Sequence, residues 1–506
     1  MEGVADSRIL IPSRKKSRRA QNTIEQLIKA FFGGNALVAV IVLALITIFL
    51  FREGFGFFGQ NLANLRLYRQ AGLEYVDIIR ARQSDHEALS RKLSEIRLRQ
   101  FRAMAKLGAP LGEITTALAP FDQFATNFSD SAENLRGLVS DLTDQASALK
   151  EQLAAGDFSA RDSSLNSLRD KGATFETISA ALTTNLYALL VSAPSLADPA
   201  EQKAFNQWKS ATRDYLARLP IASKQLREWS PDTPIPWYRS ISSFLFGRDW
   251  VTASFWQDWY GIVPLLVGSI LVSVVALVIA VPFGVASAIY VSEVAAATER
   301  RFIKPYIEFI SAIPSVVLGF FGIAVVGQAI RAASQSPLLK WVSFFPISER
   351  LNIFTAGCLL ALMAVPTIFT LAEDALRNVP RGFKEASYAL GANRLQTIAR
   401  VIVPASLSGI VSAILLGLGR VIGETMVVLL CAGNRIAIPD FSQGLGAVFQ
   451  PVHTMTGIIA QEMGEVVRGS PHYRALFMVG LVLFTITLGI NWLAQRFVAR
   501  FRMSIG

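Results

Sequence analysis

Apolar residues in this chain gather into six long stretches, separated by polar segments of very unequal length. The stretches run over about Ala36–Phe51, Ile262–Tyr290, Ile307–Ala329, Phe354–Leu371, Leu407–Cys431 and Ala475–Leu493. Roughly 20 consecutive apolar residues suffice for a helix to cross the hydrocarbon of a bilayer. The pattern therefore predicts an all-α integral membrane protein with six transmembrane helices. The polar region between the first two stretches is patterned differently. Phe128, Ala132, Leu135, Val139, Leu142, Ala146, Leu149 and Leu153 recur at steps of four and three, which lines one face of a helix as in a coiled coil or bundle. Leu89, Leu93, Ile96 and Met104 predict an earlier helix of the same kind, with Gly108, Pro110, Pro120, Pro194 and Pro199 as breaks or turns. Residues 53–250 thus form a helical insert with its own core; a binding domain and a long hairpin that binds nothing meet this pattern equally well. From Pro231 to Tyr260 the chain turns back toward the second stretch, and Trp250, Trp256, Trp259 and Tyr260 are expected as anchors at the membrane–water interface.

Composition agrees with the pattern. Of 506 residues, 52% are hydrophobic, and the mean hydropathy is +0.40, too apolar for a soluble enzyme of this length. The formal charge of +11 does not point to nucleic acid, because the excess lies beside the apolar stretches. Cytoplasmic loops are enriched in Lys and Arg. A basic segment, 1–33, with Arg14, Lys15, Lys16, Arg18, Arg19 and Lys29, precedes a first span at 34–52. No small-residue cleavage site ends that span, so it is expected to be a retained anchor. Alternation then puts Arg300, Arg301 and Lys304 on the inside with Arg377, Arg381, Lys384, Arg394 and Arg400, and with Arg496, Arg500 and Arg502. Arg331, Lys340 and Arg435 are scattered outside. Both termini are expected in the cytoplasm, with 53–250 outside it and 251–506 as a core of five further spans. Cys358 and Cys431 lie far apart, and His86, His453 and His472 form no ligand pattern, so neither a disulfide nor a metal site is expected.

Between the fourth and fifth spans lies a polar, helix-forming segment, 380–405. It reads Glu385-Ala386-Ser387, three residues, Gly391, nine residues, and then Val401-Ile-Val-Pro404. Such a segment needs a short helix, a tight turn and a second helix; Gly391 supplies the turn and Pro404 suits the first turn of the next span. The segment resembles the coupling loop of ABC importer permeases, Glu-Ala-Ala, three residues, Gly, nine residues, Ile-x-Leu-Pro. Ser387, Val401 and Val403 are mild departures from it. The resemblance implies a helical pair that seats in a groove on a separate ATPase. No G-x-x-x-x-G-K-[ST] phosphate cradle occurs in the chain, which fits an energy source on another polypeptide.

The fifth apolar stretch carries Gly417-Leu-Gly-Arg420-Val-Ile-Gly-Glu424-Thr-Met426. An ionisable residue within a span is costly and marks a functional site by default. Four residues apart on a helix, Arg420 and Glu424 would share a face and could pair. The guanidinium fork matches a tetrahedral oxyanion, and Gly417, Gly419 and Gly423 would admit a close partner helix. A structural ion pair that fixes packing is the competing reading.

This run, with Ala432-Gly433-Asn434, Ile313-Pro-Ser-Val-Val317, Glu373-Asp-Ala-Leu, Val379-Pro380 and Gly261-Ile-Val-Pro-Leu-Leu-Val-Gly-Ser, resembles the C-type permease subunits of phosphate ABC importers over about residues 261–506. The resemblance implies the type I ABC importer permease fold in a bacterial inner membrane. It implies four partners: a homologous A-type permease subunit, two copies of an ABC ATPase subunit that binds ATP and Mg, and an extracytoplasmic phosphate-binding protein. It implies that the chain binds no cofactor and is not itself an enzyme. Arg420 and Glu424 match the family's intramembrane charged positions, Arg420 offsetting the phosphate charge and Glu424 holding Arg420. A permease for another oxyanion, such as molybdate or sulfate, is the rival of the same class; a membrane sensor using the insert is the rival of another.

Overall fold

The computed structural model describes residues 15–501, apart from 107, 197, 253, 255, 256, 340 and 343. Arg14, Arg502, Trp256 and Lys340 lie outside the described residues, as do the side chains of Lys15, Lys16, Arg18, Arg19 and Arg500. The described residues are almost wholly helical and divide into two compact units, with boundaries between Phe57 and Phe58 and between Val263 and Pro264.

The helices of the first half are α1 (Lys15–Gln70), α2 (Leu73–Lys106), α3 (Leu111–Asp130), α4 (Glu133–Ala154), α5 (Arg161–Val191), α6 (Pro199–Glu228) and α7 (Tyr238–Leu245). The unit Phe58–Val263 is a bundle in which α2 packs against α3, α4 and α6, while α5 closes on α4 and α6. All eight positions of the predicted stripe are buried, but the helix breaks at Ser131–Ala132, so Phe128 closes α3 and the stripe continues on α4. The step of four carried across the turn, which hid the break. Gly108, at φ +81°, and Pro110, the N-cap of α3, lie in the break between α2 and α3, and Pro199 opens α6. Pro120 instead lies inside α3. Two of the aromatic residues expected as membrane anchors are buried instead. Trp250 and Tyr260 are 4% and 5% exposed. They sit on a two-stranded antiparallel hairpin, β1 (Trp250–Val251) and β2 (Trp259–Tyr260), where they are directly opposite and meet edge to face at 5.5 Å. Trp259 packs edge to face on Tyr68 at 5.4 Å. These rings fill the insert's own core, which their sequence position beside a span did not reveal.

One buried and one half-buried titratable group in this bundle pull stability in opposite directions with pH. His86 is fully buried and stacks on Phe128 with ring centroids 4.4 Å apart. Its Nε2 donates to the Phe128 carbonyl at 2.9 Å, which leaves Nδ1 as a buried lone pair with no partner. Protonation would put an N–H where nothing accepts it, and burial pushes His86 down from 6.5 to about 4. Asp77 is pushed up from 3.8 to about 6 by burial, although the Arg80 guanidinium bonds it. Between pH 6.5 and 4 the unfolded chain binds the His86 proton first, so stability falls as pH falls. Between pH 3.8 and 6 folded Asp77 holds its proton longer, so its contribution falls as pH rises. The two partly cancel in wild type. Asp77→Asn should expose the histidine's loss, roughly 3 kcal/mol across its window. Thermal melts of the purified chain at pH 4.5 and pH 7 check this: the variant's margin between the two should exceed that of wild type, and equal margins would contradict it.

The second half continues with α8 (Val263–Ile289), α9 (Ala297–Ile310), α10 (Ser315–Phe321), α11 (Gly327–Ser334), α12 (Ile353–Arg377), α13 (Arg381–Ala389), α14 (Arg394–Thr397), α15 (Val403–Ile422), α16 (Met426–Cys431), α17 (Met455–Glu462) and α18 (Pro471–Phe501). Wide π-turns at Tyr290–Val294, Gly322–Val326 and Ile398–Ile402 continue or join these helices. Among the described residues six helical segments are long and apolar enough to cross a membrane: Glu25–Gln70, Val263–Val294, Ser315–Ser334, Ile353–Arg377, Arg394–Ile422 and Pro471–Arg496.

The third span differs from the apolar run that predicted it. Apolarity is continuous over 307–329, but the helix is not: α9 stops at Ile310 and the crossing helix begins at Ser315. Pro314 has no N–H to continue the ladder and biases Ile313 away from helical backbone. The fifth span is shifted the other way. It starts at Arg394, because the π-turn Ile398–Ile402 carries the helix past Pro404, with Val403 N–H reaching back five residues to the Ile398 carbonyl. It ends at Ile422 with Gly423 as its cap.

Candidate functional site

The elbow 380–405 is built as two short helices at a glycine turn. Pro380 precedes α13, which ends at Ala389. Gly391 then takes φ +83°, a left-handed conformation that a side chain disfavours, and its N–H bonds the Tyr388 carbonyl at 2.9 Å. Asn393 caps α14 through the Gln396 N–H, and Gln396 Oε1 returns a bond from the Asn393 N–H. Ser387 is buried, and its hydroxyl meets that of Thr397 at 2.9 Å, pinning one helix to the other. Its hydroxyl gives the residue a bonding role that an alanine could not fill. Glu385 and Ala386 are exposed. So are Phe383, Tyr388, Leu390 and Leu395, the last two by 89% and 72%; Phe383 and Leu390 line a groove of about 500 Å³ with Ala386, Gly391 and Val401. Pro404 lies in the first turn of α15.

The structure does not bring Arg420 and Glu424 together. Arg420 lies in the last turn of α15, exposed, and its Nη1 donates to Thr367 Oγ1 of α12 at 2.9 Å. Glu424 lies beyond the helix end, so the four-residue register that would have put both on one face is not continued. Its carbonyl accepts from Thr456 Oγ1 at 2.7 Å, which satisfies the backbone where the helix breaks. Among the described residues no ion pair joins the two side chains. The predicted role of the glycines is also redistributed. A Cβ on Gly417 would meet Ile368 at 2.8 Å, and one on Gly409 would meet Ala375 at 2.4 Å. With the buried Ala413 between them, they form a small-residue stripe at steps of four that lets α15 lie directly on α12. Gly419 and Gly423 have no such close neighbour outside α15.

A buried ion cluster on α12 escaped the sequence reading. Glu373 is fully buried; Lys304 of α9 reaches its carboxylate at 2.8 Å, as does Arg377, one turn along α12. The sequence shows the Glu373-Asp-Ala-Leu run, but nothing in it says that a lysine 69 residues away completes the cluster. Among the described residues no group of three or more His, Cys, Asp or Glu could hold a metal ion. Cys358 and Cys431 are free.

Comparison with known proteins places this geometry. The family described as the binding-protein-dependent transport system inner membrane component matches residues 280–503. A probable ABC transporter permease protein, YqgH of Bacillus subtilis, is 35% identical over 47% of this chain and 72% of its own length. The phosphate transport system permease protein PstC of Pasteurella multocida is 32% identical over 52% of this chain and 82% of its own. Its counterpart in Haemophilus influenzae is 31% identical over 52% and 84%. Among solved structures, an inward-facing form of the MetNI methionine ABC transporter aligns at 21% identity and a TM-score of 0.34, covering 48% of this chain and 94% of that one. Six membrane-length helices, the elbow and these relatives converge: the chain belongs to the binding-protein-dependent family of multi-pass inner-membrane permeases, as a transmembrane subunit of an ABC importer that works with a separate ATPase and a binding protein.

Proposed function

We propose that this permease imports inorganic phosphate. The observation that carries the reading is Arg420: a guanidinium left exposed on a membrane-crossing helix, aimed by Thr367, in a chain whose relatives in Pasteurella multocida and Haemophilus influenzae are phosphate permeases. A planar fork of donors suits a tetrahedral oxyanion, and a cation in low dielectric offsets the cost of moving an anion through it. Glu424, near the end of the same helix, would moderate that attraction so that phosphate is released. The elbow, with Glu385, Ala386, Ser387, Gly391 and Pro404, would dock on the ATPase through its exposed apolar groove. The basic residues Arg300, Arg301, Arg381 and Arg400 support a cytoplasmic position for this face by the positive-inside tendency, with both termini on that side and the insert on the other. The permease would pair with an A-type phosphate permease subunit, receive phosphate from an extracytoplasmic binding protein and alternate its access as two ATPase subunits turn over.

Reconstituted vesicles containing the chain with these partners test the proposal. Labelled phosphate should accumulate only with ATP, and excess sulfate or molybdate should not compete. Accumulation of either of those anions in preference to phosphate would assign the permease to that cargo instead.

A further inference from the structure

A helix leaves its last four carbonyls without partners of its own, and they carry the negative end of its dipole. At the end of α8, in the π-turn Tyr290–Val294, two arginines take them. Arg300 of α9 donates from Nε to the Val291 carbonyl at 2.9 Å and from Nη2 to the Ser292 carbonyl at 2.7 Å. Arg394, the first residue of α14, donates from Nη2 to the Glu293 carbonyl at 2.5 Å and reaches the Val294 carbonyl at 3.4 Å. The other limb of the elbow is fastened to the same turn. Lys384 of α13 bonds Glu293 Oε1 at 2.7 Å, with the two side chains 26% and 9% exposed. The Ser292 hydroxyl donates to the same carboxylate oxygen at 3.0 Å and steadies it. Since Ser387 and Thr397 pin the limbs to each other, the elbow grips the end of the second span as a single body.

We infer that the elbow drives α8 directly through this clasp, with Glu293, Lys384 and Arg394 as positioning residues of the transport cycle. Chain continuity alone would link the elbow to α12 and α15, the spans on either side of it. The clasp adds a third span that is more than 80 residues away in sequence. The motion has a contact path to travel. A Cβ on Gly284 of α8 would lie 2.9 Å from Ile368 of α12. Ile368 adjoins Thr367, which holds Arg420. A rigid, closely packed route of this kind can carry displacement between distant sites. The surface of the elbow remains free for the ATPase, because the clasp uses the residues that face α8.

The inference rests on the elbow being the ATPase dock, and two readouts separate its failure from the failure of the phosphate assignment. In vesicles of the full complex, Glu293→Gln and Arg394→Gln should keep the ATPase bound and hydrolysing, while the anions imported per ATP fall about tenfold. The charge-reversed pair Glu293→Lys with Lys384→Glu should restore the ratio. Spin labels on Ala399→Cys and Val278→Cys, in a background without Cys358 and Cys431, report the clasp whatever the cargo is. Their separation should stay constant between the nucleotide-free and ATP-trapped complex in wild type, and change in Arg394→Gln. A wild-type transport ratio in both single variants, loss of the ATPase from them, or a label separation that behaves alike in wild type and variant would overturn the clasp. Absence of phosphate import with the expected label behaviour would sink the cargo reading and leave the clasp supported.

Discussion

Arg420→Gln should reduce ATP-driven phosphate uptake about a hundredfold, a loss of about 3 kcal/mol that matches removal of a charge-assisted hydrogen bond from the pathway. Assembly should survive, because the wild-type side chain is exposed and, among the described residues, bonds a neighbouring helix through Thr367 alone. The measurement is labelled-phosphate uptake in vesicles, beside the yield of intact complex on size exclusion. Arg420→Lys should fall between the two, keeping the charge and losing the fork. Thr367→Val should lose less than Arg420→Gln, since it frees the guanidinium without removing it. Glu424→Gln separates the roles further. With no Arg420–Glu424 pair in this state, Glu424→Gln should leave the Arg420–Thr367 contact intact. Normal uptake by Arg420→Gln would remove the residue from the mechanism.

Glu373→Ala should be the most damaging single change to the fold of the membrane unit. It removes the buried carboxylate that lies 2.8 Å from both Lys304 and Arg377, leaving Lys304 with Glu308 at 3.9 Å. Truncating one side of a buried ion cluster typically costs 3–5 kcal/mol. The value here belongs near the lower figure, about 3 kcal/mol, because Lys304 and Arg377 are 28% and 41% exposed and can turn toward water. The measurement is the melting temperature and the monodisperse yield of the complex in detergent. Adding Lys304→Met to Glu373→Met should recover much of the loss, since an apolar pair of similar volume replaces the buried charges. If Glu373→Ala melts with wild type, the cluster contributes nothing to stability.

Much of this molecule is legible in its sequence, and the reasons are specific. Long apolar runs can only be spans, so six were readable by eye. The steps of four and three along Leu135–Leu153 could only line a helical core. Gly391 was readable because a turn between two helices needs φ above zero, and it has +83°. Hydrogen-bonding breaks inside apolar stretches were harder to see. Nothing in hydropathy marks Ser311–Pro314 or Gly423–Thr425 as the ends of helices, although Pro314 carried a backbone signal. That second break is why Arg420 and Glu424 were read as one helix face. Interactions across long sequence separations were out of reach altogether. Lys304 finds Glu373, and Arg394 finds the end of α8, only after the spans have packed. The stripe of Gly409, Ala413 and Gly417 has helical spacing, but Gly419 and Gly423 crowd the same sequence and nothing in it says which glycines meet a neighbour.

The short hairpin at the end of the insert has a practical consequence for engineering this permease. Trp250 and Tyr260 complete each other within the bundle, so the point where polarity gives way to the next apolar run is not where the bundle finishes. A shortened permease trimmed at residue 250 would strand half of a paired element and bare the aromatic ring its partner covers. Cuts set at Phe58 and Val263 would divide α1 but keep both strands with the bundle.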